Sequence, residues 1–476
     1  MRAWLLLWAC LLVACGGHQA RTRDIRGALD AADPTRALAL LNEELGVDKA
    51  EELPASTSGD NAILLLDRAM VLQQLDRYEL SARDLRVADK QIDVLDLSRG
   101  AADELGKYLF SDDTGPYRAP AYEKLMINTM NLVNYLVRGD LNGARIEARR
   151  LAVMQRFVRE HEDPALALSA PGSYLAGFTF EQSRRPQEAL RYYDEALAFS
   201  EYPSLIEPVL RLSGQSSYRS PRIRKLLKQH APAPSEPASP SSEPAAPTGE
   251  TEPAPSSPEP TEPETTTSEA EPVRDERGEI LVIVSFGRVP AKYAKRVPIG
   301  LALTYASGAM SPQDRQRASY LAAQGLVTWV NYPELGQPRG TYGVPSFTLG
   351  AELDRLDGIL AVDRESIAAW EKARGVVVAS AITRMLTRVV AGEAVRRSTG
   401  GTLGALLSLG AQATLTATDT PDTRCWATLP ARIAFGRVRV APGAHTIELQ
   451  ARGVTKRQTV RVTPGGFAVV ALTVLH

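Results

Sequence analysis

Residues 419–430 read DTPDTRCWATLP, so that Cys425 stands between Arg424 and Trp426. A cation beside a thiol lowers its pKa and prepares a nucleophile. Such a nucleophile needs a base. His445 is the histidine of the same predicted β-region, and Asp419 or Asp422 could orient it. That trio would be a cysteine hydrolase. Two features weigh against it: His445 occupies APGAHTI, the exit of a tight turn where a polar residue needs no further reason, and cysteine is among the most buried residue types.

Other chemistry is not written in the chain. There is no G-x-x-x-x-G-K-[ST] loop, no G-x-G-x-x-G opening a helix after a strand, no G-x-S-x-G elbow and no H-E-x-x-H. The histidines, His18, His161, His230, His445 and His476, nowhere stand at metal-ligand spacing. His161, in REHEDP, reads as a solvated helix cap. No catalytic residue, cofactor site or metal site is assigned, and the chain is read as a non-enzyme.

The elements that would position such residues start from the amino terminus. MRAWLLLWACLLVACGG holds one cation, Arg2, and an apolar stretch from Ala3 to Ala14. That stretch is too short for a permanent span and suits the core of an export signal. Its end, Leu12-Val13-Ala14-Cys15-Gly16, resembles the bacterial lipobox, which implies a signal peptide over 1–14 and acylation of Cys15. Leu7-Trp8-Ala9-Cys10 is the poorer match, with a bulky Trp where a small residue is wanted. Buried acyl chains contribute roughly 0.8 kcal/mol per CH₂. With Gly16 and Gly17 after the cysteine, the expected location is the periplasmic face of the bacterial outer membrane. Cys10 leaves with the signal and Cys15 is acylated, so Cys425 has no partner for a disulfide and the domains must hold by packing.

Charge is distributed unevenly. Residues 16–230 hold 29 Lys/Arg against 32 Asp/Glu, and residues 231–272 hold nine Glu and no base. Residues 273–476 hold 25 Lys/Arg against 15 Asp/Glu. For an exported basic module the counter-charges are lipid phosphates, cell-wall carboxylates or an acidic partner, not nucleic acid. The acidic stretch has twelve prolines and no aromatic or large aliphatic residue, which predicts a disordered Pro/Ser/Glu/Thr linker over 231–277.

Residues 15–230 read as helices in a weak repeat. ADPTRALALL (32–41), DRYELSARDLRVAD (76–89), GDLNGARIEARRL (139–151) and RRPQEALRYYDEAL (184–197) each open with a turn and then place small residues on one helix face. In the last, Ala189, Tyr193 and Ala196 share a face, with Gly177 and Phe180 on the preceding helix. The pattern resembles the tetratricopeptide (TPR) repeat, apart from irregular spacing and Ser81 where Ala is usual. It implies an α-solenoid whose concave surface would hold an envelope protein. The closing SPRIRKLLKQH, with Arg222, Arg224, Lys225 and Lys228, reads as cations complementing a helix C-terminus.

Residues 278–476 read as an α+β domain. EILVIVSFG (279–287) and GLVTWVNY (325–332) predict strands, about 351–397 predicts helix, and 398–418 a buried helix followed by a strand. From 431 to 476 alternation is clean. Val438 and Val440 oppose Arg437 and Arg439, a Pro442-Gly443 turn follows, and Ile447 and Leu449 point inward. Val460 and Val462 then oppose Arg457, Thr459 and Arg461 before a Pro464-Gly465-Gly466 turn. This predicts an antiparallel, sandwich-like sheet with one wet face. It is similar to the PEGA module of bacterial envelope proteins, and Arg437, Arg439, Arg457 and Arg461 make its candidate anionic contact face.

Asp422, Arg424, Trp426, Leu429 and Pro430, leading into ARIAFGRVRVAPGAHTI, resemble the D-x-R-x-W-x-x-L-P pattern of an uncharacterised bacterial lipoprotein family, as does YEKLMINTMNLVNYLVRGDLNGARIEARR (122–150). In that pattern serine usually occupies the position of Cys425. The resemblance implies an architectural signature: Asp422 pairs with Arg424, Trp426 plugs a helix–sheet junction and Cys425 is a small filler. The expected function is an outer-membrane-anchored, non-enzymatic interaction scaffold. The alternatives are a peptidoglycan or anionic-polymer binder, an accessory factor of cell-wall synthesis and, more distantly, a Cys425-dependent hydrolase.

Overall fold

Each of the four repeat segments opens at the same backbone turn. Ala32, Asp76, Gly139 and Arg184 all adopt positive φ, between 57° and 69°. After each, the next N–H returns to a carbonyl five residues back, as in Arg77 to Leu72 (2.8 Å) and Arg185 to Phe180 (2.9 Å). This closes one helix in the manner of a Schellman cap and starts the next. Only Gly139 has the residue type that the conformation favours.

The computed structural model describes residues 17–92, 117, 119–160, 167–230, 276–325, 328–340, 342–350, 352–399 and 421–476. The predicted signal peptide, Cys15, His161, Asp419, the linker over 231–275 and the stretch 400–420 lie outside them. The helices are α1 (His18–Arg21), α2 (Arg23–Asp30), α3 (Pro34–Leu45), α4 (Asp60–Gln74), α5 (Tyr78–Ile92), α6 (Ala121–Val137) and α7 (Leu141–Glu160). They continue as α8 (Ser169–Gln182), α9 (Pro186–Ala196), α10 (Ile206–Ser213) and α11 (Pro221–Gln229). Among the described residues no helix is long and apolar enough to cross a membrane.

Small residues let these helices approach, as their spacing predicts. A Cβ on Gly177 of α8 would lie 2.3 Å from the Tyr193 ring of α9, and one on Gly143 of α7 would lie 2.3 Å from the Tyr135 ring of α6. Ser81 also has its reason. Its buried hydroxyl accepts from the Asn134 side-chain amide (3.0 Å), and the Asn134 oxygen accepts from Gln73 (2.8 Å), which ties α4, α5 and α6 together.

The second half builds β1 (Gly278–Phe286), β2 (Lys292–Pro298), α12 (Ile299–Tyr305), α13 (Pro312–Ala323), β3 (Trp329–Leu335), β4 (Ser346–Leu349), β5 (Glu352–Arg355), β6 (Asp357–Ala361) and α14 (Val362–Thr399). It closes with β7 (Arg432–Val440), β8 (Gly443–Ala451), β9 (Val454–Val462) and β10 (Phe467–Val474). The α+β class holds. Residues 352–361, expected within a helix, are strands, because β6 pairs with β7 and β5 with β4.

The carboxy-terminal strands do not form one antiparallel meander. One sheet runs β10-β1-β7-β6 and another β5-β4-β8-β9, with β2-β3 as a separate pair. Pro442-Gly443 is therefore a corner between sheets rather than a hairpin turn. The hairpin lies at Arg452-Gly453, both at positive φ, where Ala451 pairs with Val454. Strand β10 runs parallel to β1, which is inserted between β10 and β7. Residues 431–476 thus share their sheet with a strand more than a hundred positions earlier.

These two four-stranded sheets pack through Ile280, Val282, Val284, Ala434, Ile447, Leu449 and Val462. A Cβ on Gly436 would lie 2.7 Å from the Phe347 ring of the facing sheet. The expected inward positions Ile447 and Leu449 are fully buried. The other face of the first sheet is not wet. Leu281, Ile283, Ile433, Phe435, Val469 and Ala471 join the core of the helices. Tyr174 of α8 stacks on Phe435 with ring centroids 4.3 Å apart. The order of layers is helices, sheet, sheet.

Candidate functional site: a clasp between the two halves

Helix α4 carries Asp67 inside AILLLDRAMVL, and α6 carries Glu123 near its start. Both side chains are buried. Carboxyl groups in such surroundings must be hydrogen-bonded, and each takes a backbone donor from the signature segment. Glu123 accepts from the Trp426 N–H (3.2 Å) and from the Tyr117 hydroxyl (2.5 Å). Asp67 accepts from the Thr428 N–H (3.0 Å) and hydroxyl (2.8 Å). Two helices therefore take up the backbone donors of an extended segment from the other half, as they would hold a bound peptide.

The signature residues cooperate in this clasp. The Arg424 guanidinium forms a two-pronged pair with Asp422, both contacts at 2.8 Å, and reaches towards Asp60 of α4 at 3.5 Å. Its fork sits over the Tyr117 ring, 5.7 Å from the centroid. Trp426 and Leu429 are fully buried in the shared core, and the Leu429 carbonyl accepts the Val289 N–H (2.9 Å). Pro430 is buried beside them. The pairing of Asp422 with Arg424 and the plugging role of Trp426 are present as geometry.

Electrostatics follow burial. Burial drives Asp67 up to about 7, against the pull of the Thr428 hydrogen bonds, and also raises Glu123. Asp422 is held below the usual carboxylate range by the hydrogen bonds and charge of Arg424, which outweigh burial. His18 is buried, with neither ring nitrogen bonded among the described residues, and burial lowers it to about 4 despite the nearby Asp60 and Asp422. The helical turn α1 thus packs at the clasp.

Cys425 is part of the wall. Its Sγ accepts the Lys292 N–H at 3.3 Å, and burial pushes the thiol up to about 11 although Lys292 lowers it. At neutral pH that sulfur is a protonated thiol rather than a nucleophile. The charges that act on it are Lys292, which lowers it, and Glu123 and Asp67, which raise it. His445 instead lies half-buried on β8 of the second sheet, its Nε2 2.7 Å from the Ala441 carbonyl oxygen.

The expected arginine face divides in two. Arg437 is not exposed: its side chain keeps 3% of its accessible surface. It donates to Glu181 of α8 (2.9 Å), Glu279 of β1 (2.6 Å) and the Tyr193 hydroxyl (2.8 Å). Arg439 on the same face lies 3.7 Å from Glu207 of α10. The reason is the helical layer, which supplies carboxylates where alternation alone implies water. Arg457, paired with Glu448, and Arg461 are exposed on β9, in the other sheet. Arg222 also differs from its expected role, since it sits in the first turn of α11 and pairs with Asp194 at 2.6 Å.

Further contacts seal the junction. Asp357 accepts the Ser204 N–H (2.5 Å) and hydroxyl (3.1 Å), and Arg288 and Arg339 both pair with Asp30. Sequence reasoning missed Asp67, Glu123, His18, Glu181 and Glu279. The signal for Asp67 was present: a charged pair, Asp67-Arg68, in the middle of a helix apolar all round. Comparisons with protein-family models, curated proteins and solved structures find no match to this chain.

Proposed function

We propose that the chain is a lipid-anchored, non-enzymatic scaffold of the bacterial envelope whose two halves act as one body. The observation that carries this reading is the clasp: Asp67 and Glu123 are consumed in holding Trp426 and Thr428. Committing two buried carboxylates to the chain's own segment suits a rigid platform. In this reading Cys15 carries the acyl chains and holds the platform on the outer membrane, beside the turn that buries His18. The helices are TPR-like, and the paired sheets a PEGA-like module opened by β1. Their shared surface blocks part of the helical face, so a protein partner docks on helical surfaces that the sheets leave open. Photo-crosslinking from the exposed Ile146 and Val153 of α7 in intact cells should trap one defined envelope protein. Labelling no stronger than from Arg457 would contradict the partner assignment. Mass spectrometry should find the mature chain beginning at an acylated Cys15, and an unmodified terminus downstream would remove the anchor.

A wall-directed reading is favoured by one observation, the exposure of Arg457 and Arg461 on β9. It predicts salt-sensitive sedimentation of the chain with purified peptidoglycan sacculi, lost when both become Ser. The Arg437 position belongs to the core and has no part in such binding.

A further inference from the structure

Between α7 and α9 runs a groove of about 410 Å³, continued by a hollow of about 540 Å³ against α11. Cations enter it from all three helices. Arg149, Arg156 and Arg159 form one stripe of α7, Arg185 and Arg191 come from the start and middle of α9, and Arg222 from α11. Partners exist for three of them: Arg159 with Glu195, Arg185 with Glu188 and Arg222 with Asp194. Arg149, Arg156 and Arg191 are exposed and have no carboxylate partner among the described residues. Aromatic rings furnish the walls. Phe180 and Tyr192 stack at 5.2 Å, and the Arg191 guanidinium lies 5.8 Å from the Tyr218 ring centroid.

This excess is local. Residues 16–230 as a whole carry 29 Lys/Arg against 32 Asp/Glu, so the groove is not the expression of a basic half. Converging like charges repel, and a bound anion relieves them. All of these cations are arginine, whose planar fork fits phosphate or carboxylate oxygens two at a time. Arg149 and Arg156 are seven residues apart on one helix, about 10 Å along its axis. One carboxylate cannot bridge that span.

We infer that this groove binds a ligand bearing two or more phosphate groups, held by Arg149, Arg156 and Arg191. The assignment stands independently of the envelope reading. Its sources are a soluble phosphate ester or the headgroups of anionic lipid, which share the same chemistry.

The test is calorimetric titration of the full chain in nonionic detergent with inorganic tripolyphosphate, in low and raised salt. Saturable binding is expected, weakening with salt, and becoming roughly tenfold or more weaker when Arg149, Arg156 and Arg191 are replaced by Ser. The triple Arg→Lys variant, which keeps charge and is the less disruptive change, should fall between the two. Thermal unfolding of both variants should match the parent, because the side chains are exposed. Competition by mixed micelles of that detergent with phosphatidylglycerol, absent for micelles with phosphatidylcholine alone, assigns a lipid source, and lack of competition a soluble one. No saturable binding, equal binding by the Ser variant, or equal binding of hexaglutamate would overturn the inference.

Discussion

The carboxylate of Glu123 accepts the N–H of Trp426, 303 positions further along the chain, at 3.2 Å. With the Asp67–Thr428 pair beside it, this bond makes the signature segment a guest of the helices. A segment expected to be architecture within one half is architecture between both.

Arg437 gives the sharpest mutational consequence. Its removal leaves Glu279 buried without its paired cation and Glu181 with Arg211 alone. Breaking a buried pair from one side typically costs about 3–5 kcal/mol. Arg437→Ser should therefore lower the midpoint of denaturant unfolding strongly, whereas Arg461→Ser should leave it almost unchanged. Equal midpoints for the two variants would show that Arg437 is not buried in the folded protein.

Much of this architecture was legible, and the limits are physical. Alternation in FGRVRV separates Val438 and Val440 from Arg437 and Arg439, but it says only that two faces differ. It does not say that a helix carrying Glu181 covers the second face. The Pro442-Gly443 turn likewise reads as a hairpin because a corner between sheets has the same local chemistry. Gly177 beneath Tyr193 was visible from helical spacing, since that contact is set by the two neighbouring helices alone. The charge of Asp67 within an apolar helix was visible, but its partner and that of Glu123 were hidden because they lie over three hundred positions away.

Local crossings yield a second prediction. Gly177→Ala places a methyl carbon where the Tyr193 ring already stands, 2.3 Å away. Overpacking of this kind costs about 1–3 kcal/mol. Thermal unfolding of Gly177→Ala should show a clear loss, while Gly27→Ala, with open space around it, should show none.

Acid–base behaviour of the clasp has a defined sign. Burial raises Asp67 to about 7, so the proton it holds favours the folded state at low pH, and that contribution fades as pH rises towards 7. His18, lowered to about 4 by burial, acts oppositely: its contribution is complete above its unfolded value and fades as pH falls towards 4. The two slopes oppose each other across the same range. Asp67→Asn keeps an acceptor for Thr428 and removes one slope. Stability measured by urea unfolding should then rise more steeply with pH between about 4 and 7 than in the parent. An unchanged profile would mean that Asp67 titrates as an exposed carboxylate.

Cys425 should report unfolding rather than activity. With its thiol buried and held up at about 11, alkylation by iodoacetamide should follow the rate of opening of the clasp. Trp426→Ala, which empties the adjoining core, should accelerate labelling. Rapid labelling of the untouched protein would instead mark an accessible thiol.

The most direct measurement of the central claim is to place a protease site within residues 231–275, cleave the purified protein and follow the two pieces by size-exclusion chromatography. If Asp67, Glu123 and the Arg437 network join the halves, the cleaved pieces should co-elute as one species of the original mass. They should separate once Trp426→Ala and Arg437→Ser are introduced together. Separation of the unmutated pieces after cleavage would contradict the account.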